Sequence, residues 1–102
     1  MAAAEAVRRL GVELDRAHLA GASFLRIVHG HGSTGRGGVI RRAIRSELAR
    51  LRGQKRITGF VFGEKLSGDA NEGRAFALRH PEARLWPDWN TGNEGVTLVS
   101  LV

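Results

Sequence analysis

The sequence predicts an α/β domain, an α+β sandwich of two helices packed on a mixed sheet of three to four strands, with an insert before the last strand. Three observations lead there. Apolar residues recur at helical spacing in residues 3–20 and again from residue 38 to residue 53. A nearly unbroken apolar run at 23–29 separates those helices, and strand-like runs follow at 56–62 and 95–102. A helix joining two strands is expected to cross over right-handed and to lie on the sheet.

In the first helix, Val7, Leu10, Leu14 and Ala17 make one apolar face, and Gly21 stands where a glycine closes a helix. The 23–29 run reads as a central strand covered on both faces. The second helix buries Ile40, Ala43, Ile44, Leu48 and Leu51 and gathers Arg41, Arg42, Arg45 and Arg52 on an adjacent stripe. Glu47 falls at the edge of the apolar arc, where the sequence offers no reason for it. Within the 63–94 insert, Asp69 with Glu72 three positions later signals a helix cap, and Ala70–Arg79 reads as a short helix halted by Pro81. Trp86 and Trp89 precede a turn-rich Asn90–Gly95 stretch. A tryptophan pair of this kind either stacks unpaired bases or, more commonly, packs an insert onto the body.

A chain of 102 residues makes one small domain, 1–102. No apolar run is long enough to span a bilayer, and the start carries no secretory signal. The absence of cysteine excludes disulfides and thiolate metal sites, and the cytoplasm is the expected location. The net charge of +6 is concentrated. From Arg36 to Arg56, eight basic residues (Arg36, Arg41, Arg42, Arg45, Arg50, Arg52, Lys55, Arg56) face one acid, Glu47. A local cluster on a nearly neutral body is the footprint of an acidic partner, most often nucleic acid.

Between the apolar strand and the arginine-bearing helix lies Gly30-His-Gly-Ser-Thr-Gly35. Glycines let an anionic group approach the backbone, and the helix N-terminus behind them offers free N–H groups. The match to a dinucleotide fingerprint fails: position 50, where a ribose-binding acid is due, is an arginine inside a helix. No Gly-Lys-Ser/Thr follows to make a Walker loop. A small phosphate-ligand binder is a third reading, one that predicts weak salt dependence.

Ile27-Val-His-Gly-His-Gly32, the helix Ile40-Arg…Ile44…Leu48, the strand Ile57…Phe60-Val-Phe62 and the terminal Gly95-Val-Thr-Leu-Val-Ser-Leu101 together resemble the Smr (small MutS-related) domain. That family is marked by His-Gly-x-Gly between its second strand and second helix. The resemblance covers residues 2–62 and 93–101 and implies a fold of two helices on a four-stranded sheet. It also implies DNA or RNA binding and endonuclease activity, nicking or cleaving the strand. The family's first strand carries Leu-Asp-x-His-Gly, which this chain does not show. The alternative is therefore a nucleic-acid-binding module that does not cut. A start lacking that strand would also leave the first helix without a sheet to cover. Such a chain is expected to be less stable than one extended upstream, with an edge open to self-association. The insert at 63–94 is longer than the family's usual loop, and His31 stands where relatives often carry lysine.

The expected catalytic residue is His29, a proton-transfer group at the mouth of the loop. Gly30, His31, Gly32, Gly35, Arg36, Arg41, Arg42 and Arg45 are expected to contact nucleic-acid phosphate, positioning it without reading sequence. His18 and His80 are expected to be structural or solvent-facing. No metal-ligand set is visible, so no cofactor is evident, although Mg²⁺ or Mn²⁺ is what nuclease chemistry commonly uses.

Overall fold

The computed structural model describes residues 2–30 and 36–102. In chain order it forms α1 (Ala3–Leu19), β1 (Phe24–Val28), α2 (Arg36–Gly53), β2 (Gly59–Phe62), α3 (Asn71–Arg79) and β3 (Val96–Ser100). Short 3-10 turns at Gly63–Lys65 and Pro81–Leu85 flank α3. The helix of the insert thus joins the two expected, making three α-helices on one sheet among the described residues. The sheet has three strands in the order β1-β3-β2, and both neighbour pairs are antiparallel. β1 and β2 run the same way on either side of β3, so α2 makes a crossover that leaves room for the last strand between them. No helix among the described residues is long and apolar enough to cross a membrane.

α1 ends as its sequence dictates. Gly21 adopts φ +72°, the Gly21 N–H donates to His18 O at 3.1 Å, and the Ala22 N–H donates to Ala17 O at 3.0 Å. These two bonds make a Schellman closure around the left-handed glycine. α3 is not capped by Asp69: its N-cap is Ala70, with no side-chain bond. Instead the Arg74 guanidinium donates to Gly68 O at 2.7 Å, fixing the approach to the helix from within.

The strands are buried on two faces. One face carries Leu25, Ile27, Phe60 and Val99 against α1 and α2, where Leu10, Leu14, Ile44, Leu48 and Leu51 fill the core. The other carries Val61 and Leu98 against Leu66, Phe76 and Ala83 of the insert, with Phe24, Trp86 and Trp89 packed around them. Trp86 sits 5.2 Å from the Phe24 ring, so it packs the insert onto the sheet. The central strand is β3, every residue of which is buried. The 23–29 run instead forms an edge strand whose outward-facing Val28 is exposed. Glu47 is explained by Arg50, whose Nε and Nη2 donate to its two carboxylate oxygens at 2.8 and 2.5 Å.

A buried polar knot closes the far end of β3. The Ser100 hydroxyl donates to Val102 O at 2.9 Å, so the His80 Nε2–H donates to Ser100 Oγ at 2.8 Å. His80 is 2% exposed, and burial pushes its pKa below the usual 6.5. The unfolded chain therefore binds a proton on this histidine before the folded one does. Stability tied to His80 is fully present above pH 6.5 and is lost as pH falls below it. Melting temperature should decline through that range in the wild type and decline less in His80→Gln, which keeps a donor but cannot titrate. Equal declines in the two proteins would contradict this role.

Candidate nucleic-acid interface

The site is built where β1 ends and α2 begins. The His29 and Gly30 N–H groups both donate to Gly95 O, at 2.9 and 3.1 Å, so the start of the loop is pinned to the strand that follows the insert. Gly30 takes φ +84°, the left-handed conformation that glycine adopts without strain. His31, Gly32 and Gly35 lie outside the described residues. Arg36 opens α2.

His29 points to the helix side of the sheet, and its ring is only 8% exposed. Its Nδ1 lies 3.1 Å from Gly30 O, and because a carbonyl only accepts, Nδ1 carries the proton. The other nitrogen, Nε2, then accepts from the Thr97 hydroxyl at 3.0 Å. Burial lowers the pKa of His29, and the guanidinium charges of Arg45 and Arg41 lower it further, against the opposing pull of the Gly30 carbonyl and Glu64. The ring is thus neutral at neutral pH. It lines a hollow of about 500 Å³ between α1, β1 and α2, alongside Arg9, Glu13 and Ile40.

The arginines beside it divide into two kinds. Arg41 Nη1 donates to Glu94 at 3.2 Å, and Arg45 Nη2 donates to Glu64 at 2.7 Å while its guanidinium lies 3.9 Å above the Phe62 ring. The Arg45 Nε is buried and has no acceptor among the described residues. Arg50 and Arg56 are likewise ion-paired, with Glu47 and Asp15. Arg42, Arg52 and Lys55 have no ion pair among the described residues. The dense basic segment of the sequence is therefore partly neutralised, by Glu47 within it and by Asp15, Glu64 and Glu94 from outside it.

Glu64, Glu94, Thr97 and Gly95 are site residues that sequence reasoning missed. Glu64 and Glu94 come from the ends of the insert and Gly95 and Thr97 from the segment that follows it, brought to β1 and α2 by the sheet order. A chain of hydrogen bonds extends the site into the insert. Arg26 Nε and Nη2 donate to Asp88 at 2.5 and 3.1 Å, Asn93 Nδ2 donates to Asp88 Oδ1 at 3.2 Å, and Asn93 Oδ1 accepts from the Gly95 N–H at 2.9 Å. Gly95 in turn holds the loop. Among the described residues no three His, Asp or Glu side chains converge to hold a metal ion, and both nearby glutamates are committed to arginines. The described residues do not fit a divalent metal.

A helix–loop–sheet arrangement of this kind, with glycine and histidine at the loop, agrees with comparison to known proteins. A family model described as the Smr domain matches residues 1–72, and the chain belongs to that family, one associated with nucleic-acid binding and nicking endonuclease activity. The structure is similar to the Smr domain of Thermus thermophilus MutS2, with a TM-score of 0.62 and 28% identity over 100% of this chain and 89% of that one. No curated protein matches the chain.

Proposed function

We propose that this domain binds the sugar–phosphate backbone of DNA or RNA at the loop between β1 and α2, in the cytoplasm, and nicks the strand it holds. The observation that carries this reading is the convergence at one place of a left-handed Gly30, the opening of a helix, and a neutral histidine beside the charges of Arg41 and Arg45. Backbone N–H groups and guanidinium groups hold phosphate oxygens. His29 then takes a proton at Nε2, the nitrogen left basic by the Nδ1–H bond to Gly30, from a water that attacks phosphorus. As that bond forms the phosphorus–sugar oxygen bond breaks, and the proton held by His29 passes to the departing oxygen. This requires the fully buried Thr97 hydroxyl to give up its bond to Nε2.

One observation favours a second reading, a binding module that does not cut. Both His29 nitrogens are bonded inside the protein and the ring is mostly buried, as in a histidine that simply ties a loop to a sheet. The two readings part in a paired assay of oligonucleotide binding and nicking of supercoiled plasmid. Binding that weakens with salt, accompanied by nicked circles, is expected. Binding without nicking under any ionic condition would select the module, and no binding at low salt would overturn both.

A further inference from the structure

At the far end of α2, Arg52 and Lys55 meet Arg79 of α3 around an open hollow of about 680 Å³, floored by Ile57 and Thr58. Three exposed cations line one hollow, and none of them is ion-paired to a carboxylate among the described residues. Glu72 lines the neighbouring hollow with Arg79 without pairing with it. Val102 completes the lining, and cations that share one hollow repel one another, a repulsion that binding an anion relieves.

Arg52 is held for this task. Its guanidinium lies 4.9 Å from the Phe60 ring, and Phe60 sits 5.5 Å from Phe62, which carries the Arg45 guanidinium. Two Arg–Phe pairs therefore run side by side along β2, an edge strand of the sheet. Arg41, Arg45 and Arg52 share one stripe of α2, and Arg41 to Arg52 spans about 16 Å along the helix axis. The stripe begins at the loop and ends at the hollow.

We infer that the Arg52–Lys55–Arg79 hollow is a second phosphate-binding subsite, which holds the same nucleic-acid strand about four turns of α2 away from the loop. This rests on the proposed function and specifies how the strand runs: along α2 and the β2 edge, away from His29. The near end of the stripe is tied up by Glu94 and Glu64, so the unpaired far end releases more counterions for each phosphate it meets and carries much of the salt dependence.

The test is a salt titration of binding to a fluorescein-labelled single-stranded dodecanucleotide. The triple variant Arg52→Gln, Lys55→Gln and Arg79→Gln removes three charges. A second variant, Arg8→Gln, Arg16→Gln and Arg84→Gln, removes three from other parts of the surface. A thermal melt of each variant confirms that it is folded, and Lys55→Gly replaces Lys55→Gln if the residue's φ of +62° makes glutamine costly. The slope of log K against log salt should fall by about 2 in the first variant, because each phosphate neutralised on a single strand adds about 0.7 to the slope. It should stay close to the wild-type slope in the second. Equal slopes in wild type and first variant, with the wild type binding, would overturn the subsite and leave the proposed function standing. Equal losses in the two variants would also overturn it, by reducing the effect to net charge. A wild type that does not bind the oligonucleotide would overturn the proposed function itself, and the subsite with it.

Discussion

Replacing Arg26 by alanine is expected to cost about 3 kcal/mol of stability and at least about 12 °C in Tm. Asp88 is 5% exposed and its carboxylate is held by both nitrogens of the Arg26 fork. The hydrogen bonds from Arg26 keep the Asp88 pKa below its usual 3.8, against the opposing effect of burial. Removing the arginine strands a buried charge, which costs far more than losing an exposed pair. The figure lies at the low end for buried pairs because Arg26 keeps about a third of its side chain in water. The asymmetry is itself a test: Asp88→Asn leaves a cation that can reach solvent and should cost less than Arg26→Ala. The reverse order, measured by thermal or urea unfolding, would contradict this picture of the pair.

The same pair sets an acid limb. Asp88 has a depressed folded pKa, so its contribution is present above the ordinary carboxylate range and is lost as pH falls through the lowered value. Arg26→Ala should flatten that limb. It should also loosen the loop at His29, because Asp88 reaches Gly95 through Asn93.

The second large effect is on chemistry. His29→Ala should reduce nicking by about 10²–10⁴-fold, the span of a general base, while leaving oligonucleotide affinity within a few-fold. The wild-type rate should rise with pH below 6.5 and level off toward neutrality, because burial and two guanidinium groups keep the ring neutral and basic there. Arg45→Ala removes one of those charges and should move the rise to higher pH. Nicking that survives His29→Ala, or a rate that falls as pH climbs toward neutrality, would remove His29 from the reaction.

Much of the fold was legible because its elements obey local rules. The period of α1, its glycine closure and the apolar stripe of α2 follow from local pattern, and α3 falls where expected although the Asp69 cap that pointed to it does not form. Which strand lies in the centre did not follow. The runs 23–29 and 95–102 are equally apolar, and only the order β1-β3-β2 decides that the latter is buried on both faces. Trp86 packing on Phe24 was expected as the commoner use of a tryptophan pair. In the site, His29 and Gly30 were legible from the strand–loop–helix context. The pairing of Arg41 with Glu94 and Arg45 with Glu64 was not, since those partners lie 53 and 19 residues away. Counting charges along the chain therefore placed the binding face at the near end of α2. The pairing leaves Arg42 near the start of α2, and Arg52 and Lys55 at its far end, without ion pairs among the described residues.

The central claim, that nucleic acid is held at the loop between β1 and α2, is tested most directly by NMR titration of the isotope-labelled domain with a single-stranded dodecanucleotide. The predicted result is that the amide signals of His29, Gly30 and the first turns of α2, together with the His29 ring signals, move in step with binding and return as salt is added. Shifts confined to the outer faces of α1 and α3, with His29 and Gly30 unmoved at saturation, would contradict it.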